Sequence, residues 1–136
     1  MDDERSGTGM GGLLSNASLQ QVADRLLDAR HIVLTTHSRP DGDAFGGTLA
    51  LARMLERLGK RADLWYLPPV QQSFKILLGN NVAHIVGADG MPDEDADLVV
   101  VVDTCAWSQL EELRPYIESK RECVCVIDHH LQGNDI

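Results

Sequence analysis

The sequence predicts an α/β domain, a mainly parallel open sheet with helices on both faces. Three observations carry this expectation. Short β-branched runs at residues 31–36, 97–103 and 123–127 lack polar alternation, the pattern of strands covered on both sides. Segments of helical periodicity lie between them. Strands and helices alternate along the chain, which argues for parallel pairing through helical crossovers. With 136 residues the chain has room for about one ordinary domain.

Residues 1–14 are small, polar and glycine-rich, and read as a flexible leader. Their acid and glycine do not suit a secretory signal, which starts basic and then turns apolar. Over residues 18–30, Leu19, Val22, Ala23, Leu26 and Leu27 follow the i, i+3, i+4, i+7, i+8 helical template. Ser18 and Gln21 have capping-box spacing at its start. The strand at 31–36 runs into His37, and Ser38 to Asp43 is loop chemistry. A second helix is expected at 44–58, with Leu51, Met54, Leu55 and Leu58 on one face and Gly59 as its stop. Gly46 and Gly47 weaken that helix by about 1 kcal/mol each relative to alanine. Close packing is the expected reason, and close approach by a ligand is the alternative.

A strand at 61–67 is closed by Pro68-Pro69. A short helix at 71–78 and a minor strand at 83–86 follow. After the acidic, turn-rich stretch 89–97, residues 97–103 give the strongest buried-strand signal of the chain. Residues 108–120 read as helical and divided by Pro115. The last strand, 123–127, leads into Asp128-His129-His130.

Twelve basic and 21 acidic residues give a net charge of −9. That disfavours long double-stranded nucleic acid, which is gripped by neutralising phosphates. A small phosphorylated substrate remains compatible, because bound metal ions reverse the local field. No apolar run reaches the roughly 18 residues of a membrane span, so no membrane partner is expected. Cys105, Cys123 and Cys125 are odd in number and form no CxxC. A disulfide framework is therefore not expected, and a reducing cytoplasm is. Cys123 and Cys125 alternate in an apolar run and read first as small core residues, with a metal-binding CxC as the alternative.

The polar groups collect where strands end. The first strand runs into His37, Asp41 and Asp43, the strand at 97–103 ends at Asp103, and the last ends at Asp128, His129 and His130. Open α/β sheets bind ligands outside the carboxyl ends of their strands, so parallel strands would gather these groups on one rim. Taken singly, each has an ordinary reading. Asp41-Gly42 suits a turn, Asp43 a helix cap, Asp103 another cap, and Asp128-His129-His130 a solvated loop. Their recurrence at three strand ends favours a shared site. Crowded carboxylates resist ionisation unless cations neutralise them. Imidazole and carboxylate without thiolate suit Mn²⁺, Mg²⁺, Fe²⁺ or Zn²⁺. Five or more ligands exceed one catalytic zinc and suggest two ions sharing a carboxylate, the arrangement that clamps both oxygens of a phosphoryl transfer. His31 and His84 lie elsewhere and read as structural or surface residues.

Three motifs stand in order over roughly residues 20–133: His37-Ser-Arg-Pro-Asp41-Gly-Asp43-Ala-Phe-Gly46-Gly47, Val100-Val-Val-Asp103-Thr104, and Asp128-His129-His130. Together they resemble the DHH phosphoesterase superfamily, and within it most the nanoRNase and 3′-phosphoadenosine-5′-phosphate phosphatase group. The resemblance implies two Mn²⁺ ions, with Mg²⁺ as the alternative. His37, Asp41 and Asp103 would hold one ion, and Asp43, Asp103 and His129 the other, with Asp103 bridging. Asp128 would orient His129, as a ligand imidazole generally requires. His130 would face the substrate phosphate or assist the leaving group. Arg39 reads first as a loop residue and second as a phosphate contact.

The implied reaction is hydrolysis by a water activated between the two ions. The implied substrates are short oligoribonucleotides or small nucleotides such as 3′-phosphoadenosine-5′-phosphate, with cyclic dinucleotides and polyphosphate as relatives' substrates. The rival reading is a non-catalytic nucleotide- or metal-binding regulatory module. Family members also carry a further metal-binding Asp and a smaller second domain with a glycine-rich, His-containing motif. Neither occurs in these 136 residues. The expectation is therefore a catalytic domain over 15–136, truncated at its C-terminal end and weakly active alone, with an exposed sheet end that permits a homodimer.

Overall fold

The computed structural model describes residues 15–130 and 136. The leader expected at 1–14 lies outside them. Helix α1 (Leu19–Asp28) begins at the predicted capping box. The Ser18 hydroxyl accepts from the Gln21 N–H at 3.1 Å, and the Gln21 side chain accepts from the Ser18 N–H at 2.7 Å. The helix ends before residue 30 because the Asp97 carboxylate takes the N–H groups of Arg30 and His31 and turns the chain into strand β1 (His31–Thr36).

Helix α2 spans Gly42–Arg57 and starts two residues before the expected position. Its cap is Asp41, whose Oδ1 accepts the Ala44 N–H at 2.9 Å. Asp43 lies in the first turn and does not cap it. Strand β2 (Arg61–Tyr66) follows, then the cis Pro68–Pro69 peptide. The segment expected as a helix at 71–78 is a 3₁₀ helix over Gln72–Leu78. Strands β3 (Ala83–Ile85) and β4 (Leu98–Val102) come next.

The segment 108–120 is divided as expected, but upstream of the proline. Two 3₁₀ turns, Trp107–Gln109 and Glu111–Leu113, precede helix α3 (Arg114–Ser119). Pro115 lies in the first turn of α3, where its missing N–H has no intrahelical acceptor to lose. A further 3₁₀ turn, Arg121–Cys123, leads into strand β5 (Val124–Ile127).

The five strands form one sheet of order β3-β2-β1-β4-β5, and every pair is parallel. Its two faces bury separate apolar layers. One face packs Ile32, Leu34, Leu64, Tyr66, Leu98 and Val100 against Phe45, Leu49, Ala52 and Leu55 of α2, with Leu26 of α1 at the margin. The other packs Val33, Val99 and Val101 against Leu110, Leu113, Tyr116 and Ile117. Helical elements thus cover both faces, as the unbroken apolar strands require. Phe45 stacks between Tyr66 at 4.8 Å and Phe74 at 5.3 Å. Burying such a side chain contributes about 1.5–3 kcal/mol. The Tyr66 hydroxyl meets Thr48 at 2.7 Å, and burial pushes its pKa up to about 12.

Packing does not account for both glycines of α2. Among the described residues, a Cβ at Gly46 would meet nothing within 4 Å, and one at Gly47 would meet only Val102 Cγ1 at 3.5 Å, an ordinary contact. The three cysteines are free, Cys105 buried and the other two half-buried. His84 stacks on Trp65 at 4.7 Å. Among the described residues no helix is long and apolar enough to cross a membrane.

Candidate metal centre

Strands β1, β2 and β3 step to one side of the sheet, and β4 and β5 lie on the other side of β1. The β1–β4 boundary is therefore the topological switch point, where open α/β sheets form their ligand crevice. Register sets what gathers there. Thr36 pairs with Val102, and Val102 with Ile127. The residues that follow, His37, Asp103 and Asp128, leave three adjacent strands at one level.

Asp103 is the pivot. It is 6% exposed, and its backbone lies in the left-handed region at φ 68°. Asp tolerates that region better than most residues, at a cost of roughly 1–3 kcal/mol. Its N–H donates to the Ile127 carbonyl at 2.8 Å, and Thr36 Oγ1 donates to the Val102 carbonyl at 2.6 Å. These bonds fix the turn and bring the carboxylate between the flanking strands.

On one side, His37 Nε2 lies 3.6 Å from Asp103 Oδ2 and 3.9 Å from Asp41 Oδ1. His37 Nδ1 sits 2.8 Å from the Ser38 carbonyl. A carbonyl only accepts, so Nδ1 is the donor of this bond, and Nε2 faces the carboxylates. A ligand imidazole is set up in this way. On the other side, His129 Nε2 lies 2.8 Å from Asp103 Oδ1 and 3.4 Å from Asp43 Oδ2. The donor atoms of His37, Asp41 and Asp103 lie within 4.8 Å of one another, as do those of Asp103, His129 and His130. All seven residues singled out at the strand ends therefore meet on one rim.

Asp128, expected to orient His129, touches both histidines. Its Oδ1 accepts the backbone N–H of His129 at 2.9 Å and meets Nδ1 of His130 at 2.5 Å. It orients the ring of His130, while His129 turns to Asp103. The Asp128 hydrogen bond holds the His130 pKa above its ordinary value, with the charges of Asp128, Asp103 and Asp41 adding to it. The two imidazoles pack at 4.4 Å between centroids. Asp128 Oδ2 is buried without a hydrogen-bond partner among the described residues.

A third group with ligand spacing, His31, Asp63 and Asp93, lies at the opposite end of β1. Here the Arg61 guanidinium already bridges the carboxylates, at 3.0 Å to each. His31 Nε2 adds a 2.8 Å contact to Asp63. This is an ion-pair network, in keeping with a structural His31. Sequence reasoning missed Gln109. Its carbonyl accepts the Ser38 N–H at 2.9 Å and its side chain accepts from Thr104 Oγ1 at 2.6 Å. It ties the loop after β1 to the loop after β4. No local pattern marks such a brace, because its partners are distant in the chain.

Residues 31–136 match the family model described as DHH family, N-terminal domain. Among solved structures, the chain is similar to an exopolyphosphatase-related protein from Bacteroides fragilis, with a TM-score of 0.72 and 23% identity. The match covers 85% of this chain and 35% of that protein, so the chain spans about a third of its length. At this identity the likeness speaks to the fold.

Proposed function

This chain belongs to the DHH family, and from that premise we propose that it is the catalytic domain of a metal-dependent phosphoesterase acting on short oligoribonucleotides or small nucleotides such as 3′-phosphoadenosine-5′-phosphate. One observation carries the proposal. Asp103, a buried carboxylate, offers one oxygen to His37 and the other to His129, each with a further aspartate beside it. So many carboxylates around so few positive groups are reconciled most simply by cations.

The donor set fits such ions. His37, Asp41 and Asp103 would hold one, and Asp43, Asp103 and His129 the other. Imidazole nitrogens beside carboxylates favour Mn²⁺ over Mg²⁺, which takes mostly oxygen. When bound, the ions neutralise the rim, polarise the phosphoryl oxygens and make a water nucleophilic near neutral pH. The chain's own residues do the rest. Asp103 fixes the spacing of the two ligand sets, and the loop braced by Gln109 fixes His37. Asp128 holds His130 at the rim and favours its charged form, which suits it to contact a phosphate oxygen or to give a proton to the leaving oxygen. The net charge of −9 favours small substrates over long nucleic acid.

The test is hydrolysis of pApA and of 3′-phosphoadenosine-5′-phosphate with Mn²⁺, by the protein that carries this domain. Asp103→Asn is expected to lower kcat/KM at least about 100-fold, or nearly 3 kcal/mol. Full activity in that variant, or no Mn²⁺-dependent turnover of either substrate, would overturn the proposal.

A further inference from the structure

A second feature stands on the same sheet edge. A groove of about 250 Å³ is lined by Arg39 and Pro40 on one side and by Pro69, Val70 and Gln71 on the other. The first wall is the loop joining His37 to Asp41. The second is the loop leaving β2, the neighbour of β1 in the sheet. The groove therefore lies one strand along from the metal centre and shares a loop with it. Its volume falls a little below the roughly 300–1,000 Å³ typical of drug-sized sites, room for one ring rather than a whole dinucleotide.

The lining is chemically specific. Pro40 is buried, Val70 is half-buried and Pro69 is exposed, so the surface is largely apolar. Arg39 and Gln71 are both exposed, and neither side chain has a hydrogen-bond or ion-pair partner among the described residues. The Arg39 backbone is left-handed at φ 51°. The preceding Ser38 is held from both sides, its carbonyl by His37 and its N–H by Gln109. A fixed loop thus presents an uncommitted guanidinium at an apolar wall, in an acidic chain with carboxylates close by.

We propose that this groove is a nucleobase subsite. The flat heteroaromatic ring lies against Pro69 and Val70 and stacks with the Arg39 guanidinium, whose planar cation suits an aromatic face. The Gln71 amide, with two donors and an acceptor, meets the edge of the base. A phosphate would use Arg39 but leave the apolar wall idle, so the lining favours a base. The inference rests on the phosphoesterase reading only in taking the substrate to be a nucleotide. The subsite would favour nucleotides over inorganic polyphosphate at a rim that treats their phosphates alike.

The test needs neither metal nor turnover. The chain in EDTA is titrated with AMP, ribose 5-phosphate and inorganic phosphate while the amide resonances of Arg39, Val70 and Gln71 are followed. AMP is expected to shift them and to bind at least about tenfold more tightly than ribose 5-phosphate, a difference of about 1.4 kcal/mol. Gln71→Ala and Arg39→Asn should each weaken AMP binding several-fold. Asn keeps the left-handed backbone accessible, and unchanged spectra away from the groove confirm the fold. Equal binding of AMP and ribose 5-phosphate overturns the base subsite and leaves Arg39 a phosphate contact. Absence of shifts at these residues overturns it outright. Either result is separate from the Asp103→Asn hydrolysis test, so the two readings fail independently.

Discussion

His129 Nε2 lies 2.8 Å from Oδ1 of Asp103, joining the loop after β5 to the loop after β4. The second oxygen of the same carboxylate faces His37, which follows β1. Three strands therefore converge on one buried anion, and the strand register sets that convergence. Asp103 is left-handed, buried and within reach of histidines on both sides.

Metal should stabilise the fold through that residue. A ligand that binds only the native state adds about 2.7 kcal/mol at 100 times its Kd. For a domain of this size that is on the order of 10 °C in Tm. Mn²⁺ is expected to raise the Tm of the parent chain by this order and that of Asp103→Asn little. Calorimetric titration beside the melts should show the variant's affinity reduced at least about tenfold. Equal Tm shifts in the two proteins would remove Asp103 from the metal centre.

Acid should weaken the fold through the carboxylates at the β1 entry. Burial raises the Asp97 carboxyl, but the N–H groups of Arg30 and His31 outweigh it and hold the pKa below the ordinary 3.8. Burial likewise raises the Asp63 carboxyl and is outweighed by His31 and Arg61. A depressed folded pKa contributes stability that is fully present above the unfolded value and is lost as pH falls through the folded one. The contribution of these two carboxyls to the urea midpoint should therefore be complete above about pH 5 and decline below about pH 4. Asp97→Ala should cost about 1 kcal/mol at pH 7, as for a helix- or strand-end cap. The gap from the parent should narrow progressively as pH falls below the ordinary carboxyl range and the carboxylate is lost. A gap that persisted there would assign the effect to something other than the charge.

The sheet and the rim were legible in the sequence because their signals are local. The runs at β1, β4 and β5 are apolar without alternation, and each breaks at a His or Asp. The Ser18–Gln21 box fixed the start of α1. Elsewhere local chemistry allowed two answers and tertiary structure chose. Asp41-Gly42-Asp43 offers two caps two residues apart, and the path of the chain out of β1 gives the role to Asp41. Asp128 precedes two imidazoles, and the exit from β5 turns it to His130, leaving His129 for Asp103. The segment Gln72–Leu78 winds as 3₁₀ where Phe74 reaches the ring of Phe45. Gln109 braces two loops from a distance, and no pattern of neighbours encodes that.

Gly46 separates stability from function. It occupies the second turn of α2, one turn after Asp43. Among the described residues a Cβ there meets nothing within 4 Å, and its φ is not in the left-handed region. Neither packing nor backbone conformation demands glycine. Gly46→Ala should therefore stabilise the domain by about 0.5–1 kcal/mol, the helix-propensity gain. Under the proposed function, glycine here would leave the helix face beside Asp43 open to close approach by substrate. The variant should then melt higher, bind Mn²⁺ unchanged and show a raised KM for pApA. A higher Tm with unaltered KM would place the substrate away from this face of α2 and leave the glycine without a functional reason.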